Sequence, residues 1–356
     1  MKKFNSIIII LFVFAMVLFS FGCDTPAPSE GNDPVDEIPV DEGEINAPAD
    51  NVKLIFAGDV MLARNVAKSV EKNGGGNYLY PFSPVASYLN SGEIVFVNLE
   101  GMISNTGTPD LSKLPLGPWF RVDPAAINGL TAAGIDIVSI ANNHAFDYGR
   151  TAFEDCMTRL QSAGIKYCGG GFSGEDAYAP VIIESKGVKV AYLAYTNHGT
   201  TAYRALTEWE NPNPPYNQQE ARSGMCWLYI KWLERGIYAA REQQADIIVT
   251  SIHFGENYEK LPSSAQDRYA HLAIDRGADL VIGHSPHVTQ PIMKYVSGYI
   301  AYSLGNFVFD QSETYNEGVT KGSIFEVNIN KNTKKISNVK EIRTKIVEGT
   351  WQTTFE

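Results

Sequence analysis

Short apolar runs alternate with segments of helical spacing along most of the chain, and that alternation leaves few folds open. The runs are Val52 to Ala57, Glu93 to Val97, Asp136 to Ile140, Asp246 to Ile252 and Asp279 to Ile282. Between them, helical patterns cover Leu62 to Glu71, Ala125 to Ala133, Thr151 to Ala163, Gly224 to Gln243 and Ser264 to Arg276, and Gly134, Gly164 and Gly277 stop three of these. Strands that alternate with helices argue for an α/β core. Runs apolar on both faces predict strands buried on both sides. Two further strands are expected around the turn at Lys186-Gly187, and the chain from 290 onward reads mostly as strands, which points to a mixed or double sheet. Residues 197 to 222 show little regular pattern and read as a loop.

Each apolar run gives way to polar residues. The strand ends deliver Asp59, then Glu100, then Asn143-His144, then His253, then His284 and His287. The chain has only six histidines, so this concentration is selective. Ligand sites in α/β sheets collect beyond the carboxyl ends of strands, on loops held by a rigid scaffold. Carboxylate, amide oxygen and imidazole together suit a divalent ion such as Mn, Fe or Zn. Each residue also has a plainer reading. Asp59 fits a helix N-cap, Glu100 a solvated loop, Asn142-Asn143 a cap, and His144 a turn. Gly283 lets the backbone turn before His284, and Pro286 stiffens it. His271 reads as a helix surface residue, and His198 has no motif around it. Trp227, Tyr229, Trp232 and Tyr238 recur along one expected helix and read as packing residues.

The chain ends and composition set the context. Lys2 and Lys3 precede an apolar run from Ile7 to Phe19, closed by Ser20-Phe21-Gly22-Cys23, the pattern of an export signal. It resembles a bacterial lipoprotein signal (residues 1–22), in which Cys23 becomes the lipid-modified terminus; the plainer reading is an N-terminal membrane anchor, for which the run is short. Residues 23–50 hold nine acidic residues, no Lys or Arg, and five prolines, and read as a self-repelling tether. The formal net charge is −11; the tether's nine negative charges and the two positive ones of Lys2 and Lys3 account for all but −4 of it. The remaining domain, 51–356, is mildly acidic, which argues against nucleic-acid binding. Cys156, Cys168 and Cys226 match no zinc spacing; Cys156 and Cys168 fit either a disulfide or buried thiols.

The strand-end residues lie in motifs that resemble the CapA family of poly-γ-glutamate capsule synthesis proteins, itself related to the calcineurin-like metallophosphoesterases. The matching pieces, in order, are Phe56-Ala57-Gly58-Asp59-Val60-Met61, Val97-Asn98-Leu99-Glu100-Gly101, Ala141-Asn142-Asn143-His144 through Gly149, Ser251-Ile252-His253-Phe254-Gly255-Glu256, Gly283-His284-Ser285-Pro286-His287-Val288, and Tyr302-Ser303-Leu304-Gly305-Asn306-Phe307. The resemblance implies a metallophosphoesterase-like layered sandwich of two mixed β-sheets flanked by helices. It implies one or two divalent ions held by Asp59, Glu100, Asn143, His253, His284 and His287, with His144 donating a proton to the leaving group. Two departures stand out. Met61 occupies the position of a second opening ligand, and one extra residue separates His284 from His287, so the expected site is a reduced or altered one.

The function so implied is that of a protein anchored to the bacterial membrane through lipidated Cys23 and facing outward. It would act in synthesis, export or remodelling of poly-γ-glutamate or a related anionic polymer, with an ion acidifying water for attack on a phosphorus or acyl centre. The alternative is a non-catalytic subunit that binds the polymer or holds a membrane synthase complex together.

Overall fold

The computed structural model describes residues 50–111, 118–206 and 222–356. The expected signal peptide, the lipidation site at Cys23 and the tether up to residue 49 lie outside these residues. Four strands open the first sheet: β1 (Asn51–Val60), β2 (Ile94–Leu99), β3 (Ile137–Ser139) and β4 (Lys166–Cys168), each parallel to its neighbour. The chain then builds a second sheet from β5 (Val181–Ser185), β6 (Val188–Thr196), β7 (Ile247–His253), β8 (Leu280–His284), β9 (Ile292–Tyr295) and β10 (Gly298–Ala301), in the order β9-β10-β8-β7-β6-β5. It returns to the first sheet with β11 (Asn306–Val308), β12 (Lys321–Asn330), β13 (Lys335–Val347) and β14 (Gln352–Phe355), giving β14-β13-β12-β1-β2-β3-β4 with β11 beside β1. Both sheets are mixed: β12 to β14 run antiparallel in the first, β5 and β9 in the second.

Period-two alternation assigns each strand face to a layer. Leu54 and Phe56 of β1, Phe96 of β2, Tyr192 of β6, Val249 of β7 and Ile282 of β8 share one core between the sheets. The rings of Phe96 and Tyr192 stack across it at 5.8 Å. The outward residues Ile55, Val95 and Val97 pack beneath helices α1 (Arg64–Gly74), α2 (Ala126–Ala132) and α3 (Gly149–Ser162). Leu193, Ile248 and Ile252 pack beneath α4 (Ile230–Glu242) and α5 (Ser264–Arg276). The result is the expected layered arrangement of two mixed sheets flanked by helices, with strands buried on both faces.

Helix α5 has the limits its sequence predicts. Ser263 and Gln266 form a reciprocal capping box, and Gly277 ends the helix at φ 102°. Helix α4 begins later than its spacing predicts, at Ile230 instead of Gly224. Gly224 and Met225 pair with Gly171 and Gly170, and Leu228 donates to the carbonyl of Thr196 at 2.8 Å. Extended pairing therefore overrides helix propensity there, and Trp227 and Tyr229 precede the helix instead of lying along it. Trp232 is buried and stacked on Tyr178 at 4.5 Å, whereas Tyr238 is exposed. Cys156, Cys168 and Cys226 are buried free thiols. Among the described residues no helix is long and apolar enough to cross a membrane.

Candidate metal centre

The carboxyl ends of β1, β2 and β3 in one sheet and of β7 and β8 in the other converge on one buried pocket. Asp59 lies within β1, in register between Asn98 of β2 and Asn306 of β11. It is no helix cap: α1 starts at Arg64, and its cap residue is Ala63. Gly58 is needed beside it, because a Cβ there would fall 1.9 Å from the carbonyl oxygen of Gly305. Asp59 Oδ1 accepts a hydrogen bond from Asn98 Nδ2 at 2.9 Å. The same oxygen lies 3.2 Å from His284 Nδ1, and Oδ2 lies 3.5 Å from His287 Nδ1. These contacts join the two sheets.

Glu100 follows β2 directly. Its Oε1 lies 3.8 Å from both His144 Nε2 and His287 Nε2. His253, the last residue of β7, brings its Nε2 to 3.0 Å from Asn143 Oδ1. All seven residues expected from the sequence therefore gather in one place. Asp59, Glu100 and His287 present ligand atoms within 4.8 Å of one another. The oxygen donors (Asp59, Glu100, Asn143) come from the first sheet and the nitrogen donors (His253, His284, His287) from the second.

The turn between His284 and His287 differs from its expected form. Gly283 stays in the strand, where a Cβ would fall 1.9 Å from the carbonyl oxygen of Tyr302. The left-handed backbone falls on Ser285 (φ 100°) and His287 (φ 59°). Non-glycine residues rarely adopt it, and such strain concentrates at functional sites. The turn seats His287 over Asn306, whose Oδ1 lies 3.0 Å from Nδ1.

The charge balance fits a divalent ion. Glu100 is fully buried, and neither of its carboxylate oxygens has a hydrogen-bond partner. Neither ring nitrogen of His284 has one either; the approach to Asp59 lacks hydrogen-bond alignment. Burying a carboxylate without a hydrogen bond costs several kcal/mol, on the order expected for desolvating an ion. Burial raises Glu100 to about 8, against the opposing charge of His287 and with help from the charges of Asp59 and Asp147. Burial would lower His287, but the charge of Glu100, the contact and charge of Asp59 and the amide oxygen of Asn306 outweigh it and hold the ring up to about 9. At Asp59 burial is likewise outweighed, by the facing His284 and His287, and its carboxyl sits well below the usual range. Burial keeps His253 neutral, far below the ordinary imidazole value. Ligands that must shed protons to bind, together with orphaned buried donors, are what a cation site presents before loading.

His144 stands at the edge of this group. Its Nδ1 lies 2.7 Å from Asp147 Oδ2, and its ring stacks on Phe120 at 3.9 Å. Asp147 also accepts the backbone N–H of Phe120 at 2.6 Å. Met61 is buried, and its sulfur accepts the N–H of Ala63 at 3.1 Å. Asn98 is a member of the site that the strand-end pattern passes over. Its amide joins Asp59 to Asn142, whose Nδ2 donates to Asn98 Oδ1 at 3.1 Å. The available signal was an amide closing an otherwise apolar run. His198 also comes in, its ring 5.9 Å from that of His253. His271 instead stacks on Tyr295 at 3.9 Å and lies 3.2 Å from the Tyr302 hydroxyl, so both it and Tyr302 serve packing.

Fold and site together define an α/β sandwich protein with a buried carboxylate–imidazole centre at its strand ends. Residues 53–311 match the family described as bacterial capsule synthesis protein PGA_cap, and the chain belongs to that family. It is 30% identical over 268 residues to the capsule biosynthesis protein CapA of Bacillus anthracis, covering 74% of this chain and 61% of that protein. It is 27% identical over 260 residues to the PGA biosynthesis protein CapA of Bacillus subtilis, covering 73% and 63%. The chain thus spans about three fifths of the length of these relatives. Among solved structures, one described as a novel phosphatase from Mycoplasma pneumoniae aligns at a TM-score of 0.49 and 13% identity, over 85% of this chain and 96% of that one.

Proposed function

We propose that this protein acts outside the cell, anchored by lipidated Cys23, in the synthesis, export or remodelling of poly-γ-glutamate or a related anionic polymer, through a metal-dependent hydrolase-type site. The relatives' capsule and PGA biosynthesis names support the polymer context. One observation carries the hydrolase reading: Glu100 brings two buried, unpartnered oxygens into a pocket shared with Asp59 and His287.

Asp59, Glu100, Asn143, His253, His284 and His287 would hold one or two divalent ions. A bound ion of this kind supplies a Lewis acid that brings water's pKa from about 15.7 toward 7. The chain's own residues do the rest. Asp147 fixes the tautomer and angle of His144 through Nδ1, and Phe120 fixes the ring plane, so Nε2 is the atom that exchanges a proton with the leaving group. Asn98 and Asn306 orient Asp59 and His287 from behind. The pocket's burial excludes bulk water from these groups.

The test is metal analysis of the purified full chain, followed by hydrolysis assays with Mn, Fe or Zn restored after chelation. Bound metal and ion-dependent turnover that His144→Ala abolishes are expected. No bound metal and no rescue by any of the three ions would sink this reading. Met61 favours a second one. Its sulfur is committed to a backbone N–H where the resemblance places a ligand, as in a subunit that binds polymer or assembles a synthase without catalysis. That reading predicts normal polymer formation in cells carrying His144→Ala.

A further inference from the structure

Arg64 opens α1 with a backbone that few side chains adopt, φ 55°. The surroundings hold it there. The buried carboxylate of Asp310 lies 3.3 Å from Arg64 Nε, and the same oxygen accepts the N–H of Asn65 at 3.1 Å. The guanidinium lies 5.6 Å from the centre of the Phe120 ring, the ring on which His144 stacks. The ion pair engages Nε only, and among the described residues the terminal Nη groups donate no hydrogen bond. The side chain is 40% exposed. A guanidinium fixed by a buried acid and a ring, with its fork open, is pre-organised for a planar oxyanion.

The ring links this cation to the centre: Phe120 packs on His144, and its backbone N–H donates to Asp147, so the one exposed part of the clamp is a fixed positive charge one ring away from the buried acids. We propose that Arg64 is a substrate-anchoring residue, whose terminal guanidinium edge takes a carboxylate of an anionic polypeptide beside the Phe120 ring on which His144 stacks. This rests on the polymer reading above but not on turnover. A purely structural role, neutralising Asp310, would move stability and leave polymer affinity alone.

The experiment is calorimetric titration of the Mn-loaded full chain with a γ-linked glutamate oligomer of defined length, at low and high salt. Wild type should bind with a marked salt dependence. Arg64→Gln should weaken binding at least about tenfold, the scale of one charge-assisted pair. Arg64→Lys should recover only part, because a point charge lacks the fork. Asp310→Asn should weaken binding by loosening the clamp. The Mn-induced rise in melting temperature should persist in all three. Wild-type affinity in Arg64→Gln overturns the proposal, as does failure of wild type to bind the oligomer. Should Arg64→Gln not fold, undiminished affinity in Arg64→Lys and Asp310→Asn overturns it equally. His144→Ala, with hydrolysis disabled, should still show the Arg64-dependent affinity, which separates this proposal from the fate of the hydrolase reading.

Discussion

Glu100 is a buried carboxylate with no hydrogen bond to either oxygen, and its replacement separates two roles. Glu100→Gln removes a carboxylate that ionises at a cost inside the metal-free protein. At pH 8 or above the chelated variant should be more stable than chelated wild type by roughly 1–3 kcal/mol, the scale of an unsatisfied buried polar group. The same variant should lose most of the stabilisation that Mn gives wild type. Calorimetry with and without Mn reads both, and a variant less stable than wild type under chelation at that pH would refute the assignment of Glu100 as a carboxylate that ionises at a net cost. Asp147→Asn keeps the shape beside His144 but removes the carboxylate that selects its tautomer. Turnover should fall by about 10- to 100-fold, as for other outer partners of site residues, with Mn affinity unchanged. The candidate residues were legible because each closes an apolar run. Asn98 was passed over because the hydrophobic Leu99 separates it from the strand end that Glu100 marks, and Arg64 because its meaning lies in a φ angle and in Asp310, 246 positions away in the chain.

At the scale of elements, close backbone approaches are the demanding feature. β8 passes so near Tyr302 that a Cβ on Gly283 would overlap its carbonyl oxygen. Gly283→Ala should destabilise the protein by about 3 kcal/mol, the upper end for overpacking, seen as a lower urea midpoint with an unchanged m-value. Phe96→Ala should cost about 3–5 kcal/mol, because its ring fills the layer between the sheets against Tyr192. Most strands and helices could be read from periodicity, since burial on both faces leaves an uninterrupted apolar run and helix stops carry glycine. The start of α4 could not. Residues 224–229 carry a helical pattern, yet their hydrogen bonds go to Gly170, Gly171 and Thr196, partners that only the tertiary fold supplies.

For the whole molecule, pH and metal should act against each other. Glu100 and His287 both hold protons more tightly folded than unfolded, rising from 4.5 to about 8 and from 6.5 to about 9. Unfolding the metal-free protein therefore releases protons, and its stability falls as pH rises from about 6.5 to about 9. Below 6.5, neutral His253 acts in the opposite sense, because its unfolded form takes up a proton. Metal displaces the same protons, so its stabilisation should grow with pH. Melting temperatures at pH 7 and 9, with chelator and with Mn, should show a widening gap; a gap that narrows would contradict the site. The division of donors between layers has one more consequence. Of the proposed ligands neither sheet alone offers more than half, oxygens on one and nitrogens on the other, so on the metal reading a partly folded chain would have no place to keep an ion. Metal capture would then be a late event, a clasp that closes only after both layers have docked, and during refolding it should lag behind the recovery of β-structure.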